Sequence, residues 1–185
     1  MVRRRRLEPD HSIERIAVIP VGSVERPIVD YLNTQLAGIL GKRVETASPI
    51  EDPSYAYNKS RRQYLAEAIL LKLAQIRDSL KGRVLGITGV DLYLQDGRSA
   101  FGHASRERKV ALVSMRRLRD EYYGLPGNVE KLEERVLKEA VRQLGLTYGL
   151  RGCRNPLCTM FNTRELFDLD IKRPFLCSRC RRAIP

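Results

Sequence analysis

The stretch Gly149-Leu-Arg-Gly-Cys153-Arg-Asn-Pro-Leu-Cys158-Thr-Met160 contains two cysteines, and Cys177-Ser-Arg-Cys180 contains the other two cysteines of this 185-residue chain. Each pair can present two thiolates from one tight turn, and two such turns supply the four sulfur ligands that tetrahedral zinc takes. The spacing therefore predicts one structural zinc ion. Because four sulfurs fill the coordination sphere, we expect no open position for water or substrate.

Three other states of the four cysteines are compatible with this spacing: two disulfides, four free buried thiols, or the ligands of an iron–sulfur cluster. The chain begins Met-Val-Arg-Arg-Arg-Arg-Leu-Glu-Pro-Asp, which lacks the apolar stretch of a secretory signal. No segment is long and apolar enough to cross a bilayer, so we expect a cytoplasmic protein without a membrane partner. Because thiols stay reduced in the cytoplasm, metal binding is favoured over disulfides, and zinc is favoured as the metal.

Upstream of the cysteines, strand-like and helix-like segments alternate. Residues 15–21 are apolar and β-branched, a composition that predicts a buried first strand. Apolar residues then recur at helical spacing after Pro27 and stop at Gly41, where a glycine suits the C-terminal cap of a helix. Residues 42–47 are compatible with a second strand.

A longer helical pattern begins at about Asn58 and is closed by Gly82. Strand-like segments follow at 83–93 and 109–114, with a glycine-rich turn at 96–102 between them. Strands that alternate with helices in this order predict an α/β (α+β) fold, in which helices pack on a twisted, mixed β-sheet.

A third predicted helix covers about 129–148, with Gly149 as its stop, and it separates two expected units. The first unit, 1–149, is expected to contain the sheet, two backing helices and this third helix. The second unit, 150–185, has few apolar residues and all four cysteines. We therefore expect a small C-terminal subdomain that folds around its metal.

The chain is strongly basic, with 34 Lys and Arg against 22 Asp and Glu and a formal net charge of +12. Part of the excess is local, at Arg3–Arg6 and in residues 171–185, which contain no acid. Such a charge attracts nucleic acid and other acidic surfaces, but basic runs more often mark solvated tails. Because few aromatic residues interleave with these runs, only the charge supports a nucleic-acid site.

The cysteine pattern resembles that of the archaemetzincins, a family of metzincin-type zinc metallopeptidases with the motif H-E-x-x-H-x-x-G-x-x-H-C, then x4-C-x-M and a distal C-x-x-C. Gly149, Met160 and the four cysteines fit this motif, and the 16 residues between Met160 and Cys177 are one short of its spacer. The resemblance implies a metzincin-like fold with an active-site-type helix at 129–148 and places 62–64 on the long second helix. Weaker matches extend it over most of the chain, at 62–64, 86–88, 91–93, 101–104, 113–114 and 117–118.

This resemblance places unexpected residues at the family's catalytic positions. Arg142, Leu146 and Gly152 stand where the family has its three zinc-binding histidines, and Gln143 stands where it has the glutamate that acts as general base. Arginine and leucine do not bind zinc, glycine has no side chain, and an amide lacks the basicity of a carboxylate. The resemblance therefore implies a family member without the catalytic zinc.

Four further residues bear on this interpretation. The two histidines of the chain, His11 and His103, are too few for a three-histidine site, and His103 is interpreted as a surface or turn residue ahead of an edge strand. Met160 corresponds to the family's Met-turn methionine, and without a catalytic metal we expect it to serve packing. For Arg142, a salt bridge to Glu139 is favoured over the binding of an anionic ligand.

Three functions remain as alternatives. The first is a catalytically inactive archaemetzincin relative that keeps its structural zinc and binds a peptide or protein ligand along its edge strand. The second is an active zinc peptidase whose metal is held by carboxylates such as Glu133, Glu139 or Asp168. The third is a basic, zinc-ribbon-like nucleic-acid binder. The residues at the four catalytic positions favour the first.

Overall fold

The structure is a computed structural model that describes residues 14–80 and 82–185, so His11 and Arg3–Arg6 lie outside the described residues. The strands are β1 (Arg15–Val21), β2 (Arg43–Thr46), β3 (Tyr57–Asn58), β4 (Gln63–Leu65), β5 (Arg83–Thr88), β6 (Leu92–Tyr93), β7 (Ser99–Ala100), β8 (Gly102–Ser105) and β9 (Val110–Ser114). The helices are α1 (Arg26–Leu40), α2 (Ala66–Leu80), α3 (Val129–Thr147), α4 (Leu166–Ile171) and α5 (Ser178–Arg182).

The main sheet has five strands in the order β2-β1-β5-β9-β8. The first four strands are parallel, whereas β8 pairs antiparallel with β9 and forms an edge. A smaller sheet contains β3, β4, β6 and β7. A mixed sheet with helices packed on it confirms the predicted α/β (α+β) fold class.

Helices cover both faces of the main sheet. Successive side chains of a strand point to opposite faces, so Ile16 and Val18 of β1 pack with α1 and α3, whereas Ala17 and Ile19 pack with α2. Every residue of β5 and β9 is buried. A strand buried on both faces needs a continuous apolar run, which is the pattern that predicted the first strand from the sequence.

The predicted first and third helices are confirmed, and so are the glycines predicted to end them. Helix α1 ends at Gly41, whose φ of 64° is left-handed and whose N–H donates to the carbonyl of Ala37. Helix α3 begins after Asn128, whose side chain accepts a hydrogen bond from the Lys131 N–H at 2.9 Å. Beyond its last turn, Gly149 has a φ of 88° and ends the helical path.

The predicted start of the long second helix is wrong, because α2 begins at Ala66 and residues 63–65 form β4. Residues 62–64 therefore do not lie on that helix. Arg62 has a φ of 54°, a left-handed conformation that a helix cannot continue through. The Gln63 amide donates to the Ser99 hydroxyl at 2.9 Å and to the Asp91 carboxylate at 3.2 Å, which fixes β4 against the neighbouring strands.

The predicted edge of the main sheet also needs correction. The segment expected to be a turn at 96–102 contains β7 and the first residue of β8. Strand β8 lies at an edge of the main sheet, whereas β9 lies in its interior. His103 lies within β8 and does not precede an edge strand. At Gly102 a Cβ atom would come within 2.6 Å of the Leu112 carbonyl, so the close approach of β8 to β9 requires glycine there.

The C-terminal segment contributes α4 and α5 and packs on the larger core. Leu169 of α4 is fully buried against α1 and α3, while the cysteines form a separate cluster with Leu146 and Leu150. The division of the chain at 149/150 stays a prediction. Across the described helices, none has the length and apolar character that a membrane span requires.

Candidate metal centre and cleft

The four cysteines come together where the end of α3 meets α5. Cys153 and Cys158 lie on the loop that follows α3, Cys177 is the N-cap of α5 and Cys180 lies within it. Their sulfur atoms all lie within 4.8 Å of one another, and Cys153 Sγ lies 3.8 Å from Cys177 Sγ. All four thiols are free, so the alternative of two disulfides does not hold in this structure.

The sulfur positions fit a tetrahedral zinc ion. With zinc–sulfur bonds of about 2.3 Å, the sulfurs of a tetrahedral site lie about 3.8 Å apart, and the Cys153–Cys177 separation has that value. Backbone N–H groups of Asn155 and Cys177 donate to the sulfurs of Cys153 and Cys158, at 3.5 and 3.3 Å. Such donors stabilise thiolates, so the group could hold the predicted structural zinc.

The protonation of these thiols is uneven. Burial raises the pKa of the Cys158 and Cys180 thiols, whereas the backbone N–H of Cys180 lowers the pKa of Cys177 to about 7. A zinc ion binds thiolates, so at neutral pH it must displace protons from the two thiols with raised pKa.

Met160 packs beneath α3, next to the metal centre. It is fully buried, and a Cβ atom at Gly145 would come within 2.6 Å of its Sδ. This close contact agrees with the packing role predicted for Met160, and it explains why a glycine lies inside α3 at a cost in helix propensity.

A cleft of about 640 Å³ lies between the edge of the main sheet and α3. Its walls are residues 98–103 on one side and residues 163–167, at the start of α4, on the other. Helix α3 provides the floor through four residues spaced i, i+3, i+4 and i+7, which places them on one helix face: Glu139, Arg142, Gln143 and Leu146. The structure thus places three of the four predicted catalytic positions in one cleft.

Gly152, the fourth of these positions, does not line the cleft; it is exposed on the loop after α3. A Cβ atom there would lie 2.8 Å from the Asn162 side-chain oxygen, so a larger residue at 152 requires Asn162 to move.

The predicted salt bridge between Arg142 and Glu139 is wrong. Glu139 Oε1 instead accepts a hydrogen bond of 2.5 Å from the Gln143 amide, and both side chains are buried. Among the described residues, Glu139 Oε2, Gln143 Oε1 and Arg142 Nε have no hydrogen-bond partner. Glu139 and Gln143 lie four residues apart on α3, so their short side chains lie one above the other on the same face. They therefore hydrogen-bond to each other, and Glu139 does not pair with Arg142.

The other charged residues of the cleft are mostly held by partners outside it. Arg117 donates two hydrogen bonds to Asp91, and Arg98 donates two to Asp96. His103 lies at the rim of the cleft with its Nε2 3.4 Å from Glu67, and it is a strand residue with partial exposure rather than a turn residue.

Lys172 is a buried lysine that the sequence did not single out. Its ammonium donates to the carbonyl of Phe161 and to the hydroxyl of Thr163, one of the residues of the cleft wall. Burial lowers its pKa to about 8. The lysine thus fixes the wall of the cleft to the chain that follows Met160.

Two of the three carboxylates considered as alternative zinc ligands, Glu139 and Asp168, have other contacts. Glu139 binds Gln143, and Asp168 accepts hydrogen bonds from the backbone N–H groups of Arg164 and Glu165, which lower the pKa of its carboxyl group. Within residues 14–80 and 82–185, the four cysteines are the one group of three or more potential ligands close enough to share a metal ion.

Comparison with known proteins agrees with this geometry. The chain matches the model of Peptidase family M54 over residues 22–185. The archaemetzincin of Methanocaldococcus jannaschii is 39% identical over 168 residues, which covers 91% of each chain. The archaemetzincin of Pyrococcus furiosus is 37% identical over 177 residues, which covers 92% of each chain.

Two solved structures have the same fold. A zinc-dependent peptidase from Methanocorpusculum labreanum matches with a TM-score of 0.86 and 28% identity, over 92% of this chain and 100% of the other. The archaemetzincin of Methanopyrus kandleri matches with a TM-score of 0.80 and 33% identity, over 96% of this chain and 97% of the other. The chain therefore belongs to Peptidase family M54, together with the archaemetzincins that its cysteine motif resembles.

Proposed function

We propose that this protein is a non-catalytic member of its peptidase family, which keeps a structural zinc and uses its cleft to bind a peptide without cleaving it. One observation carries the proposal. The face of α3 that forms the floor of the cleft presents Glu139, Arg142, Gln143 and Leu146, and this set contains no histidine.

The residues at the family's catalytic positions do not fit the catalytic zinc that the family implies. Arg142 carries a permanent positive charge that repels a metal cation, Leu146 has no donor atom, and Gly152 has no side chain. Gln143 cannot take a proton from water, because an amide is a far weaker base than a carboxylate. No catalytic step is therefore assigned to this cleft.

The peptide ligand is proposed from the edge strand. Strand β8 pairs with β9 on one side, and its other side borders the cleft. The lining of the cleft includes residues 98–103, which contain β7 and the start of β8. An extended peptide can add to such an edge through backbone hydrogen bonds, while its side chains enter the adjoining cleft. This mode of binding does not need a metal ion.

The experiment combines a metal count with a hydrolysis assay on the purified full-length chain. We expect one zinc per chain, bound by the cysteines, and no cleavage of a mixed peptide panel that a zinc peptidase of known activity digests in parallel. Cleavage that a chelator abolishes and added zinc restores would refute the proposal. A second zinc per chain would also count against it.

A further inference from the structure

Three polar atoms on the floor of the cleft lack a partner among the described residues: Glu139 Oε2, Gln143 Oε1 and Arg142 Nε. All three are shielded from solvent, and the side chains of Glu139 and Gln143 belong to residues that are each 3% exposed. A buried polar atom without a hydrogen bond is costly, and folded proteins rarely leave several such atoms in one place. The floor therefore has the features of a binding surface whose partner is a ligand.

The unpartnered atoms define the chemistry of that ligand. The two oxygens accept hydrogen bonds, so they need N–H donors, whereas the Arg142 guanidinium donates and favours a carboxylate. A peptide's C-terminal residue carries both groups, because its backbone N–H and its carboxylate are attached to the same Cα. A peptide interior has the N–H groups but lacks the carboxylate.

The charge of the cleft supports an anionic group. Its lining contains four arginines but two acids. Arg117 is engaged by Asp91, and Arg98 by Asp96, but the Nε of Arg142 has no partner among the described residues. The fourth arginine of the lining, Arg164, is exposed, so the carboxylate of a ligand is best placed on Arg142, whose neighbour Glu139 is already paired through one oxygen with the Gln143 amide.

Apolar side chains also line the cleft. They include Phe101, Leu166 and Phe167 of the walls and Leu146 of the floor, and Phe167 is 71% exposed. Phenylalanine and leucine side chains beside a charged floor suit an apolar side chain on the residue that carries the carboxylate, because they remove its surface from water.

We propose that the cleft binds the C-terminal residue of a peptide, with its carboxylate on Arg142, backbone N–H groups donated to the free oxygens of Glu139 and Gln143, and an apolar side chain against Phe167. This inference rests on the proposed function as a non-catalytic peptide binder and adds the class of ligand. Arg142 stands where the family motif has a zinc-binding histidine. The proposal assigns it the role of binding the C-terminal carboxylate of the peptide.

The test compares two fluorescein-labelled peptides of the sequence Gly-Gly-Ala-Leu-Phe, one with a free C-terminal carboxylate and one with a C-terminal amide. Binding to the zinc-loaded full-length protein is followed by fluorescence anisotropy. We expect the free acid to bind at least about tenfold more tightly, because a hydrogen bond to a charged group is worth about that much or more. This comparison uses the unmodified protein, so it does not depend on whether a variant folds.

Two variants then locate the contact. Arg142→Gln should remove the preference for the free acid, whereas Arg26→Gln removes the same charge from an exposed pair on α1 and should leave the preference intact. Equal binding of acid and amide would overturn the inference while leaving the proposed peptide binding in place. Binding of neither peptide would overturn both, and a preference that survives Arg142→Gln would overturn the assignment to Arg142.

Discussion

The buried arginine of α3, Arg135, gives the most direct prediction about stability. Its side chain is 2% exposed and donates two hydrogen bonds of 2.7 Å to Asp170 of α4, one of 2.7 Å to Asp120, and one of 2.8 Å to the Leu118 carbonyl. The arginine therefore connects α3 to α4, the helix that begins at the wall of the cleft, and to the turn that follows β9. Arg135→Met keeps a similar length and removes every one of these bonds.

The cost of this substitution follows from the burial of the partners. Removing one partner of a buried ion pair costs about 3–5 kcal/mol, because the other charge is left uncompensated. Asp170 is partly exposed, and Lys131 lies 3.4 Å from Asp120 and 4.0 Å from Asp170, so water and this lysine compensate part of the loss. We therefore expect the lower limit, about 3 kcal/mol, which for a chain of this length lowers the melting temperature by about 6–12 °C.

The assay is urea and thermal unfolding of the zinc-loaded protein, followed by far-ultraviolet circular dichroism. The matched control is Arg98→Met, which breaks an arginine–aspartate pair of the same 2.7 Å length whose arginine is 77% exposed. Exposed pairs contribute little, so the control should unfold with the wild-type midpoint. The reasoning fails if the two variants shift the midpoint by the same amount.

Two further predictions concern the metal sites. Restoring the family motif should raise the zinc content from one to two per chain, and Asn162→Ala is added to make room at position 152. The control variant, Gln143→Glu alone, should leave the content at one zinc. A full variant that still holds one zinc would contradict the placement of the catalytic positions. The full variant carries Arg142→His, Gln143→Glu, Leu146→His and Gly152→His. The zinc affinity of the cysteine centre should rise as the pH increases from 6 to 8, because thiols with a raised pKa must lose their protons to bind zinc. Burial keeps the thiols of Cys158 and Cys180 protonated at pH 7.5, so calorimetry at that pH should detect at least two protons released per zinc. A zinc affinity that does not depend on pH would contradict this account.

The parts of the fold that the sequence predicted are those with strong local signals. Strand β1 is a continuous apolar run, helix α1 has its glycine cap, and the buried stripe of α3 recurs at helical spacing. The cysteine spacing also sufficed to identify four sulfurs that lie together. In each case neighbours along the chain determine the structure, so a pattern of residues carries the information.

The parts that the sequence did not predict depend on contacts between distant segments. Strand β4 forms because Gln63 reaches Asp91 and Ser99, and β8 exists through its pairing with β9. The pairing of Gln143 with Glu139 left Arg142 without the expected partner. A helical spacing shows that three side chains share a face, but the choice of partner among them depends on side-chain length and on what covers the face.

The different fates of the two metal sites, on the proposed function, follow from what each contributes to folding. The core face of α3 packs through Leu137, Ala140, Val141 and Leu144, and none of these residues lines the cleft. Substitution of a cleft residue such as Arg142 therefore leaves this core intact. The cysteines instead form the centre of a cluster with Met160 that has few other apolar members, so loss of one thiolate removes the metal and with it much of the local stability. Substitution at Arg142 is thus tolerated by the fold, whereas mutation at the cysteines is not, and on the proposed function a chain that stops cleaving peptides keeps its cysteines as long as it must remain folded.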